Sequence, residues 1–345
     1  MNLRSSSVLF AISVGFVLAA SSAGAQRQTG TAAPSTTPRA PDGRPDLQGV
    51  WDFRTVTPLE RPAEFAGQEV LTAEQAAKAE AQAKALASLI DSPPPKGSVG
   101  GYNQFWFDTF SNAVADRRTS LIVDPKDGKI PALAPNAKHQ VGSLGDDLPS
   151  DLPIRYRAGG RGYDGPEDRG LSERCLVGFN SGPPMLPGGY NQNVQLFQTS
   201  DHVVILNEMV HDARIVPLDG RPHLPGGVKQ WMGDSRGRWD GDTLVVETKN
   251  FTSKTGSFNP NVWSAIGTGE AMLLTERFTR VNAGTLLYEY KVDDAATFTR
   301  PITARIYMRK SDERLFEYAC HEGNYGLQNI LRGARVAEGA LKGSR

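Results

Sequence analysis

Residues 273–294, LLTERFTRVNAGTLLYEYKVDD, decide how this chain is read. Leu286, Tyr288, Tyr290 and Val292 alternate with Leu287, Glu289 and Lys291, the period-two pattern of a strand with one buried and one wet face. Residues 273–281 form a second strand of the same kind. Asn282-Ala283-Gly284 between them predicts a three-residue hairpin loop with the glycine in a left-handed conformation.

Outward from this hairpin, short apolar runs separated by turns predict further strands at 194–199, 203–210, 213–218, 230–239, 243–251, 302–309 and 315–321. Trp239-Asp240-Gly241-Asp242 predicts a tight hairpin with Asp-Gly at the positive-φ positions. An earlier strand is expected at 47–53, around Trp51. That many strands in one open sheet would leave unpaired edges, so the expectation is a mainly β fold, an antiparallel meander closing into a barrel. A two-sheet sandwich is the alternative.

Two helices frame the meander. Thr72 and Gln75 form a capping box ahead of an alanine-rich run to Ile90, which Asp91-Ser92-Pro93-Pro94-Pro95 stops. A short C-terminal helix over 326–336 carries Leu327, Ile330 and Leu331 on one face. Residues 92–190, rich in glycine and proline and holding an aromatic cluster around Trp106, are expected as a long loop insertion over one mouth of the barrel.

The N-terminus has a basic start, an apolar run over 8–20 and the small-residue ending Ala23-Gly24-Ala25, the pattern of a secretory signal peptide over residues 1–25. Residues 26–45 lack large apolar side chains and are expected as a disordered leader, with residues 46–345 as a single barrel domain. Export to the periplasm or exterior follows, with no membrane insertion once the signal is removed. The 38 basic and 38 acidic residues balance, which gives no electrostatic case for nucleic acid. A small-molecule ligand or substrate is the expected partner, and no cofactor is expected. Cys175 and Cys320 suit a disulfide in an oxidising compartment; two buried thiols or a reactive cysteine are the competing readings.

The segments YNQFWF, RTSLIVDPKDGKIP, VILNEMVHDARIVPLDGRPHLP, WMGDSRGRWDGDTLVVETKNF and FEYACHEGNYGLQNILRGAR, between Tyr102 and Arg335, resemble a large family of exported, functionally uncharacterised bacterial proteins. The resemblance implies export and a β-rich fold and transfers no catalytic residue. Gly49-Val50-Trp51 at the first strand, followed by the meander, also looks like lipocalin and other calycin barrels, in which such a tryptophan packs across the barrel floor. Those barrels hold small apolar ligands and sometimes host isomerases, hydratases or lyases, so the likeness bears on architecture and leaves function open.

Candidate chemistry concentrates in ILNEMVHDARIVPLDGRPH, residues 205–223, where Glu208, His211, Asp212 and Arg214 interrupt apolar strand-like runs. Charged groups there are costly to desolvate unless paired, so the cluster lies at a solvated edge or lines a site. On a regular strand His211 and Asp212 point to opposite faces, so a local dyad requires a bulge at 211–213. His321, beside Cys320 at the end of the last expected strand, is the second candidate histidine. Trp106, Trp231, Tyr288, Tyr290 and Tyr318 are candidates for binding an aromatic ligand. No His-x-His, His-Glu-x-x-His or paired-cysteine motif supports a metal, and no Gly-x-Ser-x-Gly supports a serine nucleophile.

Two functions follow. One is an exported enzyme of lyase, isomerase or hydrolase type, with His211 or His321 carrying the proton and Arg214 stabilising charge on a small apolar or aromatic molecule. The other is a non-catalytic, lipocalin-type binding protein. An interaction surface on residues 102–110 is a third, lesser reading. Convergence of His211, Arg214 and His321 on one enclosed pocket separates enzyme from carrier.

Overall fold

A computed structural model describes residues 37–90, 116–141, 154–155 and 164–339. Residues 1–25, expected as a signal peptide, the aromatic cluster with Trp106 and much of the expected long insertion lie outside the described residues. The strands are β1 (Gly49–Asp52), β2 (Ile122–Asp124), β3 (His139–Val141), β4 (Asn193–Gln198), β5 (His202–Asn207), β6 (Ala213–Pro217) and β7 (Asp234–Asp240). They continue with β8 (Thr243–Lys249), β9 (Phe258–Asn261), β10 (Ser264–Ile266), β11 (Leu273–Asn282), β12 (Thr285–Asp293) and β13 (Ile302–Ser311).

The main sheet runs β6-β5-β4-β1-β13-β12-β11-β8-β7, antiparallel throughout, with β2 pairing alongside β13. Its two edges curl together into a nearly closed barrel. β6 and β7 share no ladder, but they pack so closely that a Cβ added at Gly237 would lie 2.5 Å from Leu218 and 2.9 Å from Val216. Absence of a side chain at Gly237 is what lets the seam close. A small second sheet, β3-β10-β9, sits apart from this path.

Alternation then works as the sequence predicts. Leu286, Tyr288, Tyr290 and Val292 are all buried, while Leu287, Glu289 and Lys291 are not. Facing them inside are Phe278, Ile306, Met308, Leu196 and Ile205, so the barrel interior is a packed core of side chains. Each such side chain contributes about 1.5–3 kcal/mol by leaving water. Trp51 is fully buried; its Nε1 donates to the Leu47 carbonyl at 2.9 Å and the Arg280 guanidinium lies 4.8 Å over its ring.

The connections divide unevenly between the two ends. The tight links at residues 199–201, 241–242 and 283–284 lie at one end. The other end receives the chain leaving β1 and entering β4, the 208–212 link, residues 250–272 and residues 294–301, while residues 218–233 run from the first end, where β6 finishes beside His202, to the second, where β7 starts beside Lys249. Helix α1 (Ala73–Ile90) belongs to this loop-bearing end. Its N-terminus is the expected capping box, with Gln75 N–H on Thr72 Oγ1 at 3.1 Å and Thr72 N–H on Gln75 Oε1 at 2.8 Å. The C-terminal helix α2 (Tyr325–Ala337) starts at Asn324, whose side chain accepts the Leu327 N–H at 3.2 Å.

Several local expectations are corrected. Residues 315–321 are not a strand; the chain there lies outside the ladders and is held by its own side contacts, described below. The β7–β8 turn is Gly241-Asp242, one residue later than expected, with Gly241 alone at positive φ (58°). The β11–β12 loop is a two-residue turn, Ala283-Gly284, because Asn282 still pairs with Thr285, and Gly284 is not left-handed. Trp231 sits in a turn ahead of β7 instead of on it. Residues 37–45, the end of the expected leader, form a turn closed by a bridge between Arg39 and Pro45 and tied to Asp242 by Arg39 at 2.8 Å.

Candidate functional site

The 205–223 stretch turns inside out as it passes over the loop-bearing end. After β5 the chain makes a single 3-10 turn, Met209–His211, in which Val210 (φ 60°) and His211 (φ 46°) are both left-handed. Two successive non-glycine residues in that region store strain of about 1–3 kcal/mol each. They are held by a local apolar cluster of Met209 and Val210 with Cys175, Phe179, Tyr190 and Tyr318. This is the irregularity that a local His-Asp pair requires, yet it sends the charged groups in four directions.

Arg214 goes inward. Its guanidinium grips the Glu276 carboxylate at 2.5 and 2.9 Å, and Glu276 also accepts the Tyr288 hydroxyl at 2.7 Å. The Tyr288 oxygen in turn accepts the Met185 N–H at 3.1 Å. Burial opposes the charge on Arg214, and Glu276 overcomes it, so the guanidinium titrates above its ordinary value. Burial, then Glu276, raise the Tyr288 hydroxyl well above its own. The group is a buried network in the barrel core, in which the Arg214 Nε has no partner among the described residues.

Glu208 turns toward the C-terminal segment. It accepts Asn193 Nδ2 at 2.9 Å and the Phe316 N–H at 3.0 Å, so it serves as the anchor that holds residues 312–318 against the barrel. His211 is exposed, with Nδ1 3.2 Å from the Tyr318 carbonyl. The Cys175–Cys320 disulfide lies just beyond, its Cα atoms 5.8 Å apart. His321 is exposed in the turn that follows, where its carbonyl accepts the Asn324 N–H at 3.3 Å. Both histidines therefore face solvent near the disulfide, and Arg214 is locked away from them in the core.

Asp212 turns toward residues 178–181. Its carboxylate accepts the Gly178 N–H at 2.9 Å and the Ser181 hydroxyl at 2.7 Å. Burial raises its pKa above the ordinary carboxylate value, against the opposing pull of those donors, Arg155 and His211. Arg155 is 4 % exposed, and the side-chain hydrogen bond it makes among the described residues, to the Gly178 carbonyl, is long at 3.5 Å. Desolvation pushes its guanidinium down to about 10, and Asp212 is the charge that opposes the shift. Arg155 still carries its proton at neutral pH.

Two depressions open on this end and meet at Leu186. The larger is a groove of about 450 Å³ between α1 and the body, walled by Leu59, Ala83, Leu86, Leu121, Leu186 and Pro260, with Thr55, Thr57 and Gln82 as polar groups. Its size and mixed, mainly apolar wall suit a small organic molecule. The smaller, walled by Arg155, Phe179, Pro183, Pro184, Ser257 and Phe258, has room of about 10 Å³, enough for one water-sized group.

The candidate ligand-binding aromatics scatter. Tyr288 and Tyr290 are fully buried core residues, and the Tyr290 hydroxyl has no hydrogen-bond partner among the described residues. Trp231 lies in the turn before β7, its carbonyl accepting the Thr255 hydroxyl at 3.2 Å, and Tyr318 packs by the disulfide. Trp106 lies outside the described residues. Sequence reasoning missed Arg155, Ser181 and the groove wall; only the apolar end of α1, at Leu86, carried a signal. Among the described residues no group of three or more His, Cys, Asp or Glu side chains is arranged to hold a metal ion, and no helix is long and apolar enough to cross a membrane. In comparison with known proteins, no family model matches the chain and no curated protein matches it.

Proposed function

We propose that this chain is an exported small-molecule-binding protein that holds an apolar or aromatic molecule at the loop-bearing end of the barrel, in the groove under α1. The observation that carries the reading is the groove itself, about 450 Å³ with a mainly apolar wall, set against a barrel interior already filled by Tyr288, Tyr290, Phe278 and Trp51. Binding at the mouth replaces the lipocalin-type interior cavity. The Cys175–Cys320 disulfide supports an oxidising, exported setting, in keeping with the resemblance to exported β-rich bacterial proteins.

The test is fluorescence titration with the neutral apolar probe N-phenyl-1-naphthylamine. Saturable binding that Ala83→Trp abolishes by filling the groove, and that the His211→Ala/His321→Ala pair leaves unchanged, is the expected result. Binding insensitive to Ala83→Trp overturns the reading.

Acid–base catalysis keeps one observation in its favour. Asp212, a carboxyl whose proton is held more tightly than usual, lies next to exposed His211 and within the field of Arg155. Substrate profiling of the purified protein beside Asp212→Asn and His211→Ala checks it, since turnover that both variants abolish favours the enzyme.

A further inference from the structure

We infer that the pocket at Arg155 takes the carboxylate of the bound molecule, so that the ligand class is a small apolar or aromatic carboxylic acid lying from the groove across Leu186 into that pocket. This deepens the groove reading above and rests on it.

Three observations carry the inference. Arg155 is a buried cation on the wall of an accessible pocket, and among the described residues its five N–H donors make one long hydrogen bond, to the Gly178 carbonyl. A guanidinium buried with so little compensation is stabilised by an anion arriving with oxygen acceptors, and its planar fork matches a carboxylate. Nearby carboxylates are otherwise engaged: Asp212 is turned to Gly178 and Ser181, and Asp294 accepts Ser257, Thr297 and the Ala296 N–H, while neither makes an ion pair with Arg155.

Scale and placement agree with a head-and-body ligand. The Arg155 pocket admits a group about the size of one water, which fits the end of a carboxylate and excludes a ring. Around the head the wall is mixed: Ser257 and Asn259 add polar groups beside Arg155, and Phe179, Pro183, Pro184 and Phe258 supply apolar surface. The body then has the groove beyond Leu186, whose Pro260 follows directly on Asn259 of the pocket wall.

Calorimetric titration of the intact, disulfide-bonded protein with phenylacetate, 4-phenylbutyrate and dodecanoate, each beside its uncharged primary amide, tests this. The expected result is at least tenfold tighter binding of an acid than of its amide. Arg155→Met is expected to remove that preference while leaving amide binding in place, and Arg155→Lys to keep part of it. Asp212→Asn, which removes an anion whose charge acts on Arg155, is expected to tighten acid binding severalfold, an effect that a purely structural role of Asp212 does not produce. It also carries the test if the Arg155 variants do not fold. Acid and amide bound equally by the parent, or an acid preference that survives Arg155→Met, overturns the inference and leaves the groove reading standing. Acid preference that survives Ala83→Trp while amide binding is lost supports the head pocket and overturns its link to the groove. Failure of every acid and amide to bind overturns both.

Discussion

Arg214 and Glu276 meet inside the barrel across its unlaced seam, Arg214 from the edge strand β6 and Glu276 from β11 beyond β7 and β8, with neither side chain more than 3 % exposed. Two charge-assisted hydrogen bonds thus tie the edge strand β6 to β11, a strand with which it shares no ladder. Removing one partner strands the other charge in the core, at a cost of about 3–5 kcal/mol. Urea unfolding of Arg214→Met is expected to show that loss, while the double variant Arg214→Met/Glu276→Leu recovers most of it. A single variant as stable as the parent contradicts this role.

The reach of the sequence depended on which force fixed each element. Strands such as β12 were legible because side chains on one pleated face must be buried together, and Leu286 to Val292 declare it. Turn register was not, because sliding Asp240-Gly241 to Gly241-Asp242 leaves both flanking alternations intact. Residues 315–321 read as a strand from Leu315, Phe316 and Tyr318, but the Glu208 anchor and the disulfide fasten that segment outside the ladders. The strands β3, β9 and β10, three or four residues each, are too short to show a period. At the site, the pairing of Arg214 was not legible, since its partner Glu276 lies sixty-two residues away on another strand. Nothing around Arg155 in a glycine-rich stretch announces that it is buried; only tertiary packing does.

Gly237 makes the seam possible by what it lacks. Gly237→Val places atoms within van der Waals reach of Leu218 and Val216, overpacking that is expected to destabilise by about 1–3 kcal/mol. Prising β6 from β7 also exposes two strand edges. Chemical denaturation checks the first effect, and a shift toward larger species in size-exclusion chromatography checks the second.

The disulfide joins residues 145 apart in sequence, so in the chain-entropy model it restricts the unfolded chain strongly, by about 4–5 kcal/mol. Cys175→Ser/Cys320→Ser is expected to lower stability by a few kcal/mol. It also removes a brace from the strained turn at Val210 and His211. Hydrogen exchange at Phe316 and Asp212 is expected to quicken in the double variant more than at β12, and equal protection at those sites contradicts the bracing role.

Asp212 and Asp234 are expected to drive stability in opposite directions with pH. Burial raises Asp212, so the folded state binds its proton more tightly than the unfolded chain does. Its contribution is therefore complete below the ordinary carboxylate value of about 3.9 and is lost as pH rises through the higher folded value. Burial also pushes Asp234 upward, but the Leu224 N–H at 2.8 Å, His223 at 2.9 Å and Arg236 outweigh it and hold it below the ordinary value. Its contribution is present above about 3.9 and is lost as pH falls through the lower folded value. Urea unfolding across pH 3 to 7 (a range of roughly these values), compared with Asp212→Asn and Asp234→Asn, separates the two. Relative to Asp212→Asn the parent is expected to gain stability as pH falls, and relative to Asp234→Asn to lose it. Parallel slopes for the two comparisons contradict the opposed environments.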